Sequence, residues 1–167
     1  DHALRIDCRS LETVAVPLNL EAHGLRIVVA NTGVRRALSA SAYNQRRAEC
    51  NRAVETLFVL LRGRRPGSLR DITLRDLSIN GRFLPEELLR RARHVVSENA
   101  RVLAAVDALQ RGDMGEVGRL FHASHESLAR DYEVSSPELD LMVELADSLE
   151  GVVAARMTGG GFGGCTV

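Results

Sequence analysis

The residues with the most distinctive chemistry lie at one end of the 167-residue chain, where Gly159-Gly160-Gly161-Phe162-Gly163-Gly164 places five glycines in six positions. Glycine loses more backbone freedom on folding than any other residue, so such density needs a structural return. One use is a loop whose N–H groups line an anion site, or that packs directly against a phosphate loop. The other is a tight strand-to-strand connection, although one or two glycines are enough for a hairpin. No helix follows within the chain, so the helix-dipole half of a phosphate site is not on offer. His122 and His125 stand at i, i+3 with Glu126 beside them, but metal ligation needs a third ligand and a second shell that the sequence does not nominate. They read as a polar flank, and no metal site is expected.

Two basic runs, Arg62-Gly63-Arg64-Arg65 and Arg90-Arg91-Ala92-Arg93-His94, have the charge to touch phosphates. The net charge is zero and there are only six aromatic residues, Tyr 2 and Phe 4, so the runs read as solvated helix faces. Glu133 and the acidic residues after it are scattered, with no paired-carboxylate spacing. Ser39 to Arg47 gathers Tyr43, Asn44, Arg46 and Arg47 at the start of a helix, close behind the break at Asn31-Thr32-Gly33. A helix N-terminus carrying hydroxyl and amide groups suits a polar small molecule. From chemistry alone the same stretch reads as an N-cap, with Tyr43 as the first core residue.

Composition bounds these readings. Hydrophobic residues make up 45% and charged residues 26%, the balance of a soluble globular domain with a real core. No apolar run approaches the roughly 20 residues that span a bilayer, and nothing resembles a signal peptide. Cys8, Cys50 and Cys165 are widely spaced with no CxxC pair, which argues against a disulfide framework or zinc site and for reduced thiols in a cytoplasm. All 22 basic residues are arginine. The absence of lysine excludes a Walker A loop and lysine Schiff-base chemistry within these residues.

The elements that must position these groups follow from periodicity. Ala3–Cys8 and Thr13–Val16 alternate as strands, and Leu25–Ala30 is a β-branched run that suits a buried strand. Tyr43, Arg47, Cys50, Val54, Leu57 and Leu61 mark one stripe of a helix from about Ser41 to Arg62, stopped by Gly63. Arg64 to Arg82 is weakly patterned, a loop with a helical turn or two. Pro85 opens a helix over Glu86–Gln110, with Leu89, Ala92, Val96, Leu103, Val106 and Leu109 inward and Gly112 as its stop. Asp113 caps a helix running to about Asp131, with Glu116 in the capping-box position. Ser136-Pro137 opens the last helix, with Leu139, Met142, Val143, Ala146 and Leu149 inward and Gly151 at its end. Gly151–Met157 reads as a strand that delivers the chain into the glycine loop, and Cys165-Thr166-Val167 as the start of another. Strands this few and scattered make a weak sheet, so the sequence reads as a piece of a larger α+β fold.

Five ordered blocks are similar to galactokinases, members of the GHMP kinase superfamily. Arg156–Val167 resembles their third signature motif, and His2–Thr13 resembles a strand segment they carry mid-chain. Ser41–Cys50 resembles the helix bearing their sugar-contacting tyrosine. Arg93–Asn99 and Ser124–Val134 fit in the same order. The resemblance implies a two-lobed fold, with residues 1–32 as the last strands of the N-terminal lobe and 33–167 as a truncated, helix-rich C-terminal lobe.

It also implies transfer of the ATP γ-phosphoryl group to the anomeric hydroxyl of galactose with Mg²⁺, in which the protein mainly positions groups and neutralises charge. By the same resemblance Tyr43 faces the sugar, and Arg35 supports a catalytic aspartate that this sequence lacks. Gly159, Gly160, Gly161, Gly163 and Gly164 form the loop beside the phosphate-binding region. Ala42 departs from the Glu common before the tyrosine. The implied partners are galactose, ATP and the N-terminal lobe, with no nucleic acid and no membrane; the implied location is the cytoplasm. Without base and phosphate loop the chain alone is expected to be inactive. An N-acetylgalactosamine kinase, or a non-catalytic galactose-sensing or interaction module of the same fold, is the alternative.

Overall fold

The computed structural model describes residues 2–34, 39–61 and 64–167. Among the described residues the fold is α+β, with five α-helices and short strands before the first and after the last of them. Strand β1 (His2–Ile6) pairs antiparallel with β2 (Thr13–Pro17). A 3-10 turn at Leu20–His23 leads to the two-residue strand β3 (Ala30–Asn31). Helix α1 (Ser39–Leu60) follows, then α2 (Leu74–Asn80), α3 (Glu86–Arg111), α4 (Met114–Arg130) and α5 (Pro137–Asp147). Strand β4 (Cys165–Thr166) returns to pair antiparallel with β3, with Asn31 opposite Cys165.

The helix ends are set by local chemistry. Thr73 caps α2 in a reciprocal box with Asp76, Asp113 accepts from the Glu116 amide, and Ser136 accepts from the Leu139 amide ahead of Pro137. Each satisfies an amide that the helix itself leaves unpaired. Gly112 ends α3 in the left-handed region at φ 69°, where a Cβ would be strained. The weakly patterned stretch resolves into α2 and two 3-10 turns, Leu69–Asp71 and Gly81–Phe83. The stop assigned to Gly63 lies outside the described residues.

Helix α3 is the spine. It packs against α1 and α4 and also meets α2 and β2. Ala53 and Leu57 of α1, and Leu61 just after it, join Leu77 of α2 and Leu88, Ala92 and Val96 of α3 in the larger core cluster. A second cluster, Leu128, Val134, Leu139 and Met157 with Tyr132 and Phe162 against it, lies under the glycine loop. The three cysteines are free, and among the described residues no helix is long and apolar enough to cross a membrane.

Several expectations are corrected. Residues 25–29 form no strand, and Ile27, Val28 and Val29 are exposed; hydrogen-bonded pairing reaches only Ala30–Asn31, because β4 offers just two residues to pair with. Leu103 and Leu149 are exposed, the latter because α5 ends at Asp147 before another turn can carry it inward. Gly151–Met157 contributes one bridge, Met157 to Thr166, rather than a full strand. Tyr43 is 59% exposed and Arg47 is exposed too, because the inward face of α1 runs through Glu49, Ala53 and Leu57.

Gly118 sits mid-helix where a Cβ would lie 2.8 Å from the Val153 carbonyl oxygen and 3.2 Å from its Cγ1. Alanine gains about 1 kcal/mol over glycine in a helix, but overpacking against backbone costs about 1–3 kcal/mol. Gly118→Ala is therefore expected to lower the urea midpoint, contrary to helix propensity; an unchanged or raised midpoint would contradict this packing.

Candidate functional site

The site is built around an arginine that helical spacing places on an apolar face. Leu88, Arg91, Ala92 and Val96 share one side of α3, and Arg91 is only 1% exposed. Its Nε donates to Glu49 Oε2 of α1 at 2.7 Å, one Nη to the Asp131 carbonyl at 2.6 Å, and the other to Glu133 Oε2 at 2.5 Å. Arg46, one turn before Glu49, donates to both Glu49 oxygens at 2.7 and 2.8 Å and to the Glu133 carbonyl at 3.4 Å. Arg90 donates to Glu133 Oε1 at 2.8 Å. Burial would raise the Glu49 carboxyl, but hydrogen bonds from Arg91 and Arg46 more than offset it and hold its pKa below the usual range. The Arg91 hydrogen bond likewise lowers that of Glu133. Planar guanidinium forks suit this arrangement, since each presents several donors in fixed geometry.

Beside this network His94 stacks on Tyr132, with ring centroids 4.5 Å apart. The Ser127 hydroxyl donates to Asp131 Oδ2 at 3.3 Å and so accepts from His94 Nδ1 at 3.0 Å. Burial pushes the His94 pKa down to about 4 and keeps the ring neutral. Burial also lifts the Tyr132 phenol above its usual range, and Tyr43 is near enough to add to that effect. Tyr43 is thus an exposed phenol at the margin of a rigid polar cluster.

The turn at Asp131–Val134 passes this rigidity to the glycine loop. Glu133 adopts a left-handed φ of 53°, and the next carbonyl, of Val134, accepts from the Phe162 amide at 2.6 Å. A Cβ on Gly161 would collide with that carbonyl and lie 3.0 Å from Met157 Cε, so the close approach requires glycine. The loop is a hairpin whose stem is closed by Arg156–Val167 and Thr158–Cys165 hydrogen bonds. Thr32 clamps its far side, donating from both its amide and its hydroxyl to the Gly164 carbonyl at 2.9 and 2.8 Å. The other side is open: Cβ atoms on Gly159, Gly160 or Gly164 would meet nothing within 4 Å. The tight connection weighed for the loop is therefore present, with one packed side and one side of bare backbone.

The structure links Tyr43 to the glycine hairpin through α1, the 131–134 turn and Phe162. Arg35 lies outside the described residues. Reading Arg90–His94 as a solvated face misses the site: Arg91 and His94 are buried, Arg90 pairs with Glu133, and Arg93 pairs with Asp131 at 2.9 Å. The signal was the spacing, since Leu88, Arg91 and Val95 follow the three-to-four-residue repeat of a buried stripe. His122 and His125 face Asp147 and Asp140 at 3.2 and 3.3 Å. Among the described residues no group of three or more His, Cys, Asp or Glu is placed to hold a metal.

Comparison with known proteins gives a consistent result. Residues 105–167 match the family model for the GHMP kinases C-terminal domain. The chain is 52% identical over 166 residues to a galactokinase of Chloroflexus aurantiacus, covering 99% of this chain and 41% of that protein. It is 48% identical over 166 residues to a galactokinase of Homo sapiens, covering 99% and 40%. The crystal structure of Lactococcus lactis galactokinase complexed with galactose superposes with a TM-score of 0.88 at 40% identity, covering 99% of this chain and 42% of that one. The chain spans about two fifths of the length of these relatives.

Removing Arg91 leaves buried Glu49 with Arg46 alone and Glu133 without its shortest partner, and breaking a buried pair by deleting one partner costs about 3–5 kcal/mol. Arg91→Leu is expected to lose that much in urea unfolding, and the double variant with Glu49→Leu to recover part of it; strictly additive losses would show that the two are not coupled. The lowered pKa of His94 means that the unfolded chain binds the extra proton. Stability is then full above the unfolded pKa of about 6.5 and falls as the pH drops toward 4. Urea midpoints across that range should show this slope, and His94→Gln should flatten it.

Proposed function

We propose, from a chain that carries the C-terminal domain of the GHMP kinases, that it is the sugar- and phosphate-facing portion of a galactokinase. Residues 1–32 would then be the last strands of one lobe and 33–167 the second lobe. The pairing of β3 with β4 would lace the two together. The observation that carries this reading is an exposed tyrosine on α1 and a bare-backbone hairpin on the 131–134 turn, with that helix and that turn joined by one buried ion network.

In the reaction, the bond between the γ-phosphorus of ATP and its bridging oxygen breaks. A bond from the anomeric oxygen of galactose forms, and the hydroxyl proton passes to a base outside this chain. The part played by these residues is positional. The Tyr43 phenol donates to or accepts from a sugar hydroxyl while its ring covers a pyranose face. Gly159, Gly160 and Gly164 leave room for nucleotide phosphates to approach the hairpin backbone, a fit supported by the empty Cβ positions. Bound MgATP supplies the phosphoryl group and part of the charge neutralisation. No residue of this chain is assigned to the magnesium ion, since the described residues offer no carboxylate cluster for it. Arg35, by the same family correspondence, holds a carboxylate base ionised.

The test is a coupled assay of ADP release with MgATP and galactose. The chain alone should show background turnover only. A chimera in which residues 2–167 replace the aligned segment of the Lactococcus lactis enzyme should phosphorylate galactose. Tyr43→Ala in that chimera should raise the galactose KM about tenfold, the scale of one hydrogen bond plus ring contact, and leave the ATP KM unchanged. Turnover by the isolated chain, or a folded chimera indifferent to Tyr43→Ala, would overturn the proposal.

A further inference from the structure

His125 joins three elements that the ion network does not. It sits mid-way along α4, with a side chain only 11% exposed. Its Nδ1 accepts from the Met157 amide at 3.3 Å, so the ring proton is on Nε2. That nitrogen lies 3.3 Å from Asp140 Oδ1 of α5, an oxygen that also accepts from the Ser135 hydroxyl at 2.5 Å. Met157 is the stem residue of the glycine hairpin. It bridges to Thr166 and is fully buried, with its Sδ-methyl end beneath Gly161. The neutral imidazole therefore ties α4, α5 and the hairpin stem with one acceptor and one donor, and both are used.

We propose that His125, neutral and in its Nε2–H tautomer, is a positioning residue for the glycine hairpin, and that protonating it expels the Met157 amide and loosens the hairpin. Charging the ring places an N–H opposite an N–H, because the position that accepts from Met157 becomes a donor. The charged groups facing the ring are Asp140 and Asp147 of α5, which favour the cation, and Arg156 of the stem, which opposes it. Glu126 of α4 and Glu144 of α5 line the open groove beside it. Burial is the largest influence and moves the His125 pKa below its ordinary value. The neutral form thus holds the hairpin above the unfolded pKa near 6.5, and that hold is lost as the pH falls below it. The positioning role toward phosphates rests on the kinase reading; the tautomer and the pH response do not.

Two measurements separate these claims. In the full chain, ring ¹⁵N shifts at neutral pH should report the Nε2–H tautomer. Amide hydrogen exchange over residues 157–164, corrected for intrinsic pH dependence, should quicken roughly tenfold between neutral and mildly acidic pH, as a local opening does. His125→Asn, whose Oδ1 occupies the place of Nδ1, should keep protection and lose the pH response. His125→Leu should be unprotected throughout. An Nδ1–H tautomer, pH-independent exchange in the unsubstituted chain, or full protection in His125→Leu would each overturn the proposal. In the chimera, His125→Leu should raise the ATP KM severalfold and leave the galactose KM unchanged, and His125→Asn should restore it. If exchange behaves as expected while both KM values stay fixed, the kinase reading of the hairpin fails and the structural role of His125 stands.

Discussion

The structure depends on one buried cation. Arg91 reaches solvent with almost none of its surface, and its guanidinium is shared among a carboxylate on α1, a carbonyl at the end of α4 and a carboxylate on the following turn. Taking such a charge out of water is costly unless every donor is used, and a broken pair costs more than none at all. The geometry therefore tolerates little drift: α1 cannot slide on α3, nor the 131–134 turn lift away, without leaving charge unpaired. Arg46 and Arg90 extend this constraint to both sides of Glu133. A lysine could not serve here, since three contacts in one plane need the guanidinium fork.

This network lies between two apolar clusters, one formed by α1, α2 and α3 and the other beneath the glycine hairpin. Apolar packing resists separation but is poorly directional, and ions and hydrogen bonds supply the register that it lacks. The His94–Tyr132 stack shows the division of labour: the ring faces bury area, while Nδ1 and the Ser127–Asp131 pair fix orientation. The result is a stiff frame carrying two exposed features, a phenol on one helix and a backbone hairpin beyond the turn. Stiffness is what a positioning site requires, because a misplacement of about 1 Å already costs much of the benefit of proximity.

The helices were legible because their punctuation is local. Asp113 and Ser136-Pro137 at the starts and Gly112 at a stop act within one turn, and the structure confirms each. The strand expected over Leu25–Ala30 was not legible, since a β-branched run shows willingness to pair but cannot supply a partner; here only Ala30–Asn31 finds one. Burial on α1 was misjudged for a related reason. The stripe drawn through Tyr43 and Arg47 follows hydrophobicity, whereas the true face turns through Glu49, which is buried because charge partners await it on α3. Arg91, Glu49 and Glu133 are separated by tens of residues, so no spacing rule joins them; only the arginine's place on an apolar stripe gave a hint. The glycines stood out by their density and Tyr43 through family likeness, while the packed side of the hairpin at Gly161 became visible only with Val134 in place.

The clamp on the Gly164 carbonyl has a consequence for how the molecule is assembled. Thr32 and Gly164 are 132 positions apart along the chain, whereas the helical contacts and caps form among near neighbours. Closing so long a loop costs entropy that no local contact repays, so distant pairings of this kind form late in folding. The segment before α1 and the hairpin after α5 must find one another before the hairpin acquires its final shape. Maturation of the glycine-rich surface is thus a late checkpoint: a polypeptide with its helices in place but this pairing unmade would be folded by most spectroscopic criteria and still lack that surface.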